Sequence, residues 1–318
     1  MKVFVIGAGR WGSFIGWYLD SIGHTVSIYG REGSENFAKL RESRDNGLIT
    51  FRESINFTSE LKEAHSADVI IISIGSQGLA ALIDSLKGKD LKNKTVVLCM
   101  KGVEIATGRR LSEIAEEGLD KSNKVAVWLG PGHVQDFAAG IPNCMVIDSR
   151  DDETKKSLVE AFQSNLIRFY YGTDLIGNEI GAAAKNVIGI AAGILDGLGL
   201  SSLKGALMAR GPREISRLAE KMGADPMTVY GLCHVGDYEA TLFSPHSHNR
   251  AFGEALARGE KYEALAEGYY TVKALLALGE KYSCELPICR AVYEIAYENK
   301  DAGKTLSALF ARSIKYEF

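Results

Sequence analysis

Three stretches of this sequence carry residue types that can do chemistry at spacings that let them act together. The first is Gly7-x-Gly9-x-x-Gly12, inside VFVIGAGRWG near the N-terminus. In such a motif one glycine makes a tight turn, the next lets the backbone approach a pyrophosphate, and the last lets helix pack close on strand. The helix that follows offers free amides and its positive dipole end to the phosphates. The motif comes straight after an apolar run and before a helical one, the setting in which it signals dinucleotide binding. The second stretch is EIGAAAKNVIGIAAG, where Lys185 sits in an otherwise apolar helix. A lysine is costly to bury without purpose. With a lowered pKa, it can give and take a proton.

The third stretch is TLFSPHSHNRAFG, Thr241–Gly253, with His246, His248, Asn249 and Arg250 close together. It could bind a metal, belong to a catalytic relay, or seat an anion at a loop–helix junction. Imidazole is a common metal ligand, but His246 and His248 have only i, i+2 spacing on a loop, with no carboxylate or thiolate placed with them. A relay through Ser247 lacks a nucleophile elbow. No metal is expected, and the anion seat is favoured, with a helix opening at about Arg250.

The elements that must position these residues change character along the chain. Val3–Ile6 and Thr25–Tyr29 read as strands around a helix at Trp11–Ile22. Asp68–Ile74, Lys94–Met100 and Lys124–Leu129 are further apolar runs, and two more lie near 144–149 and 167–172. Continuous apolar strands separated by helices predict a parallel sheet covered on both faces. After about Asp174 the pattern is Ala/Gly/Leu-rich and helical. The expected class is therefore α/β: a Rossmann-type parallel-sheet domain over 1–175, then an all-α domain over 176–318. Gly189, Gly193 and Gly197 are expected to permit close helix packing. The second strand ends in Gly30-Arg31, where NAD-preferring sites usually place Asp or Glu for the ribose 2′-hydroxyl. An arginine can pair with a 2′-phosphate instead, which favours NADP over NAD.

The totals exclude several classes. The 318 residues carry a net charge of −3, which gives no electrostatic case for nucleic acid or an anionic membrane surface. The 5 cysteines form no CxxC pair, so neither a zinc site nor a disulfide framework is suggested. Glycines break the N-terminal apolar run, unlike a signal peptide, and no uninterrupted run of about 18 apolar residues predicts a membrane span. A cytoplasmic protein acting on a small molecule is expected. The apolar positions of the helical half are compatible with a homodimer, and core packing accounts for them equally.

Further motifs narrow the reading. GPGHVQDFAAGIP (Gly130–Pro142), EIGAAAKNVIGIAAGILDGLGL (Glu179–Leu200), MARGPREISRL (Met208–Leu218) and GLCHVGDYEATLFSPHSHNRAFGEAL (Gly231–Leu256) follow in order, with CMKGVE (Cys99–Glu104) and LAEGYYT (Leu265–Thr271) also present. In these motifs and their order, the chain resembles the NAD(P)-dependent glycerol-3-phosphate dehydrogenases, from the first strand to about residue 290. Ketopantoate reductases and β-hydroxyacid dehydrogenases also carry a lysine on this helix. They usually follow it with an asparagine three or four positions on, whereas here Asn186 follows Lys185 directly.

The resemblance implies roles. Lys185 would be the catalytic lysine, proton donor to the carbonyl oxygen in reduction and acceptor in oxidation, its pKa lowered by desolvation at a cleft between the domains. Asp237 would orient Lys185 or accept a substrate hydroxyl. Lys101 would hold substrate near the nicotinamide. Gly130, Asn186, Thr241, Ser247, His248 and Asn249 would complete the substrate site. Gly7, Gly9, Arg10, Trp11, Gly12, Arg31, Lys101, Val134, His248 and Glu267 would line the cofactor. The reaction implied is hydride transfer between NADP or NAD and the C2 carbonyl of dihydroxyacetone phosphate, feeding glycerophospholipid synthesis.

The chain also departs from that family. The usual GPSFA reads GPGHV, with Gly132 and His133. GLAGLGD reads GLCHVGD, with His234 in place of a glycine. SRNR reads SHNR, so His248 replaces an arginine that normally reaches both substrate and cofactor phosphates. Arginine is always charged and bidentate, whereas histidine is mostly neutral at pH 7. His133, His234, His246 and His248 are expected to line one cleft. Either His248 with Arg250, Lys101 and backbone amides holds a triose phosphate less tightly, or the substrate is another anionic or phosphorylated carbonyl compound. The retention of Lys185, Asp237, Thr241 and Asn249 favours the first. A nucleotide sensor without catalysis is a third reading, which Lys185 and Asp237 argue against.

Overall fold

Short runs of β-branched residues build the first half. In chain order they give β1 (Lys2–Ile6), α1 (Arg10–Ser21), β2 (Thr25–Tyr29), α2 (Glu35–Ser43), β3 (Asn56–Thr58), β4 (Val69–Ile72), α3 (Leu79–Leu86) and β5 (Thr95–Leu98). Then follow α4 (Leu111–Gly118), β6 (Lys124–Leu129), α5 (Val134–Ala138), β7 (Asn143–Ser149), α6 (Asp152–Phe162) and β8 (Ile167–Tyr171). The structure is a computed structural model that describes residues 1–89, 91–314 and 316. Its contacts divide the chain into two units, Met1–Lys101 with Arg109–Leu175, and Gly102–Gly108 with Ile176–Phe318.

The first unit is one 8-stranded sheet in the order β3-β2-β1-β4-β5-β6-β7-β8. Neighbours run parallel, with one exception: β6 and β7 are antiparallel, pairing Ala126 with Ser149 and Leu129 with Val146. The sheet is thus a Rossmann-type α/β arrangement whose parallel order is reversed once beyond β6, after the short α5. The order 3-2-1-4 places a topological switch between β1 and β4, where doubly wound sheets bind ligands. β3 is an edge strand of 3 residues, too short to show any alternation in the sequence. Helix packing on this sheet is strongly aromatic. Phe14 of α1 stacks on Phe137 of α5 at 4.9 Å, and Trp128 meets Phe169 edge-on at 4.9 Å.

The second unit is helical: α7 (Leu175–Gly197), α8 (Lys204–Lys221), α9 (His248–Arg258), α10 (Glu267–Lys281), α11 (Pro287–Tyr297) and α12 (Ala302–Phe310). α7 is its central element. Ala182, Ala183, Ala184, Val187, Ile188 and Ile190 on successive faces are all fully buried. A helix apolar all round is a buried one. Among the described residues α7 alone is long and apolar enough to cross a membrane, and 89% of that stretch is buried inside the protein. The length rule for an uninterrupted apolar run passes over it because polar Asn178, Glu179, Lys185 and Asn186 interrupt the run.

Glu214 of α8 joins two of these helices. Its two carboxylate oxygens accept the Ile288 and Cys289 backbone N–H groups at 2.8 and 3.0 Å, capping α11 behind its N-terminal Pro287. Burial pushes its pKa up to about 7, against the pull of those amides. A folded-state pKa raised above the unfolded one means stability that is complete below the unfolded value and lost as pH rises through the folded one. Between pH 5 and pH 8 the protein is expected to lose about 2–3 kcal/mol through this group. Urea unfolding at both pH values checks it, with Glu214→Gln expected to lack that part of the slope.

Candidate active site

The glycine turn comes first in the chain. Gly7 has φ +118°, open to glycine but strained for other residues. Its N–H donates to the Tyr29 carbonyl, and a Cβ there would run into the Ser73 carbonyl. The turn is thereby wedged among the ends of β1, β2 and β4. A Cβ on Gly12 would strike the Gly7 carbonyl, so α1 can start only because that residue is glycine. A Cβ on Gly9 would meet nothing within 4 Å. Gly9 is the N-cap of the 12-residue α1 and gives it no side-chain cap. Close contact at Gly7 and Gly12 with open space at Gly9 is what a dinucleotide pyrophosphate requires, so these residues fit that group.

Around this turn, Arg10 is exposed and Trp11 half-buried, its ring 5.2 Å from Phe14 and 6.2 Å from Phe137. Arg31 is exposed just beyond β2. Any side chain at Gly30 would collide with the Phe37 ring of α2, so no carboxylate can stand there. At the ends of the neighbouring strands β5 and β6, the Lys101 ammonium donates to the Gly130 carbonyl at 2.8 Å. Gly130 has φ +127° and Gly132 φ +136°, and a Cβ at Gly132 would enter the Phe137 ring. Gly132 therefore answers to the aromatic packing beneath it. His133 holds the N-cap position of α5 without a side-chain capping bond, and Val134 opens that helix, buried.

In the helical unit the backbone approach of α9 to α7 is set by glycines. Side chains at Gly193 or Gly253 would run into the carbonyls of Arg250 and Ile190, and one at Gly189 into Thr241 and Asn249. This contact brings Thr241 and Asn249 against the face of α7 that carries Lys185 and Asn186. Lys185 is 8% exposed. Its Nζ lies 2.7 Å from Asp237 Oδ2 and donates to Thr241 Oγ1 at 2.8 Å. The Thr241 hydroxyl in turn donates to the Asp237 carbonyl at 2.7 Å. With its own proton directed there, the hydroxyl must offer a lone pair to the ammonium. Asp237 closes a short 3₁₀ turn and Thr241 lies in a π-type turn, Glu239–Phe243, a rare geometry that tends to mark functional sites. Beside them, Asn249 Nδ2 donates to Asn186 Oδ1 at 3.1 Å, and Asn249 Oδ1 accepts the Gly268 N–H at 2.8 Å. Glu267 opens α10 next to that bond.

The third stretch and the histidine before it differ from expectation in three ways. The helix opens at His248 rather than at Arg250, because the Ser247 hydroxyl caps it by accepting the Arg250 N–H at 3.3 Å. Arg250, expected to help hold phosphate, turns inward: Nη1 reaches Asp196 at 2.6 Å and Nε donates to the Ser244 carbonyl at 3.2 Å. Charge-assisted hydrogen bonds of this kind are short and stronger than neutral ones. His234, expected beside the other histidines, is fully buried. His246 and His248 are exposed. Among the described residues no three His, Cys, Asp or Glu side chains gather as metal ligands. His248 Nδ1 shares a 2.6 Å hydrogen bond with the Tyr262 hydroxyl. Tyr262 lies in a motif-free loop, and nothing in the sequence pointed to it.

Comparison with known proteins places this arrangement. Residues 2–155 match the family model of the NAD-dependent glycerol-3-phosphate dehydrogenase N-terminus, and residues 174–307 that of the C-terminus. The glycerol-3-phosphate dehydrogenase [NAD(P)+] of Chlorobium limicola is 35% identical over 332 residues, covering 100% of this chain and 99% of that protein. The enzyme of the same name from Prosthecochloris aestuarii is 36% identical, with 100% of both chains covered. The crystal structure of glycerol-3-phosphate dehydrogenase from Coxiella burnetii superposes with a TM-score of 0.92 at 28% identity, covering 98% of this chain and 99% of that one. The chain belongs to the NAD-dependent glycerol-3-phosphate dehydrogenase family.

Proposed function

We propose that this protein interconverts dihydroxyacetone phosphate and sn-glycerol 3-phosphate with NADPH or NADH, supplying glycerophospholipid synthesis from the cytoplasm. The observation that carries the reading is the buried Lys185 ammonium fixed between the Asp237 carboxylate and the Thr241 hydroxyl. When bound, the nicotinamide cofactor supplies the hydride for the carbonyl carbon. Lys185 Nζ hands a proton to the carbonyl oxygen as negative charge develops on it, and takes one back in oxidation. Asp237 keeps the lysine charged and aimed beforehand, so little reorganisation is needed at the moment of reaction. Asn186 and Asn249, already bonded to each other, present amides to the substrate hydroxyl. In this reading His248 and Lys101 supply the donors for the substrate phosphate. Gly7, Gly9 and Gly12 with the α1 amides hold the cofactor pyrophosphate. With Gly30 closed to a carboxylate by Phe37 and Arg31 exposed beside it, the adenosine end favours a 2′-phosphate, hence NADP.

The direct test mixes protein with NADPH or NADH and dihydroxyacetone phosphate and follows loss of reduced cofactor. No turnover with either cofactor, in folded protein, sinks the reading. Lys185→Ala is expected to lower kcat by about 10³-fold, within the range of general acid catalysis, with the cofactor Kd nearly unchanged by fluorescence titration. Arg31→Ala should raise the KM for NADPH about tenfold and leave that for NADH unchanged, since only the former loses a charge-assisted pair. His248→Arg should lower the substrate KM about tenfold, a gain of about 1.4 kcal/mol. An unchanged KM removes His248 from the phosphate site.

A further inference from the structure

Fully buried His234 is one turn of chain before the Lys185–Asp237 pair, and both of its nitrogens are engaged. Nδ1 lies 2.7 Å from the Gly181 carbonyl of α7, and Nε2 lies 2.7 Å from the Tyr238 hydroxyl. A carbonyl can only accept, so Nδ1 carries the proton. Nε2 is then the acceptor and the Tyr238 O–H its donor. This pairing belongs to the neutral ring, since a protonated Nε2 would make the Tyr238 hydroxyl the acceptor instead. Burial holds its pKa down near 4, the nearby Lys185 charge acts in the same direction, and the Gly181 bond and Asp237 oppose it.

The positions of these bonds matter more than their number. Gly181 lies four residues before Lys185, so in an α-helix its carbonyl is the acceptor for the Lys185 backbone N–H. His234 bonds to the second lone pair of that same oxygen. At its other end, the His234 main-chain carbonyl accepts the Asp237 N–H at 3.1 Å. A closed ring results: Lys185 to Asp237 through the ion pair, Asp237 to His234 through the backbone, His234 to Gly181 through the imidazole, and Gly181 to Lys185 through one helical turn. A Cβ at Gly181 would lie 3.1 Å from the His234 Cβ, a tight contact to which His234 would have to yield by a few tenths of an ångström.

We propose that His234 is a positioning residue for the reaction, pinning the Asp237 turn to the α7 backbone so that ammonium and carboxylate stay in register. The inference rests on Lys185 as proton donor. A turn free to drift by about 1 Å can cost a reaction about 10²-fold. It also weakens the ion pair, which favours the charged lysine by holding an opposite charge close.

The test has a readout that does not depend on turnover. Lysine side chains of the whole protein are labelled with ¹³C, and the Lys185 titration is followed by NMR in wild type, His234→Ala and His234→Asn, beside steady-state kinetics. The Ala variant is expected to lower the Lys185 pKa by about one unit and kcat by about 10–100-fold, with the KM for NADPH within twofold. His234→Asn, whose amide N–H can still reach the Gly181 carbonyl, should restore most of both. If the Ala variant fails to fold, His234→Gln takes its place, since its longer amide reaches towards Tyr238 instead of Gly181. An unchanged Lys185 titration in the folded Ala or Gln variant overturns the proposal, as does a loss in His234→Asn equal to that in His234→Ala. Absence of wild-type turnover would count against the assigned reaction, while the titration would still report on His234.

Discussion

A lysine ammonium inside an apolar helix must find an anion, and much of the helical unit follows from that demand. An isolated buried charge costs several kcal/mol even after relaxation. Lys185 meets it with a carboxylate at 2.7 Å, and Asp237 is itself only 1% exposed. To bring the two together, the loop after α8 must come close to α7, and the Gly189 contact with Thr241 allows it. The π-type turn, the Thr241 hydroxyl bonded at both ends and the Asn186–Asn249 amide pair are consequences of that approach. Replacing such a pair by apolar residues often costs a fold nothing. A buried pair of this kind is thus weak evidence for stability.

The sheet unit obeys a different constraint, closeness of backbone to backbone. At Gly7 and Gly12 the chain leaves no room for a Cβ, and at Gly9 it leaves space. That alternation fits a pyrophosphate approached by main chain alone. Ring packing limits the positions around it. Phe37 closes position 30, and Arg31 stands exposed next to it. Phe137 likewise dictates Gly132, so aromatic packing under the loops decides which polar groups those loops can carry.

Features set by local pattern were legible in the sequence. The glycine turn, the apolar strands, the switch to helices near residue 175 and Lys185 in its apolar helix all follow from short-range spacing. The family resemblance then supplied the partners of Lys185. What escaped depends on tertiary contacts. β3 has 3 residues and no pattern of its own. The reversed direction of β7 depends on how a short connection packs. Arg250 is a free cation in sequence and an internal partner of Asp196 in the structure. The helix at His248 starts two residues early because Ser247 caps it. His234 reads as one more loop histidine, and only its burial and its bond to Gly181 reveal it as part of the framework.

The central claim is that Lys185 and Asp237 work as one unit in proton transfer, and a double-mutant cycle on the kcat of carbonyl reduction addresses it directly. Groups that act together give strongly non-additive losses. The account predicts that Lys185→Ala/Asp237→Ala loses no more activity than Lys185→Ala alone. Losses that simply multiply, as for two independent residues, would contradict it.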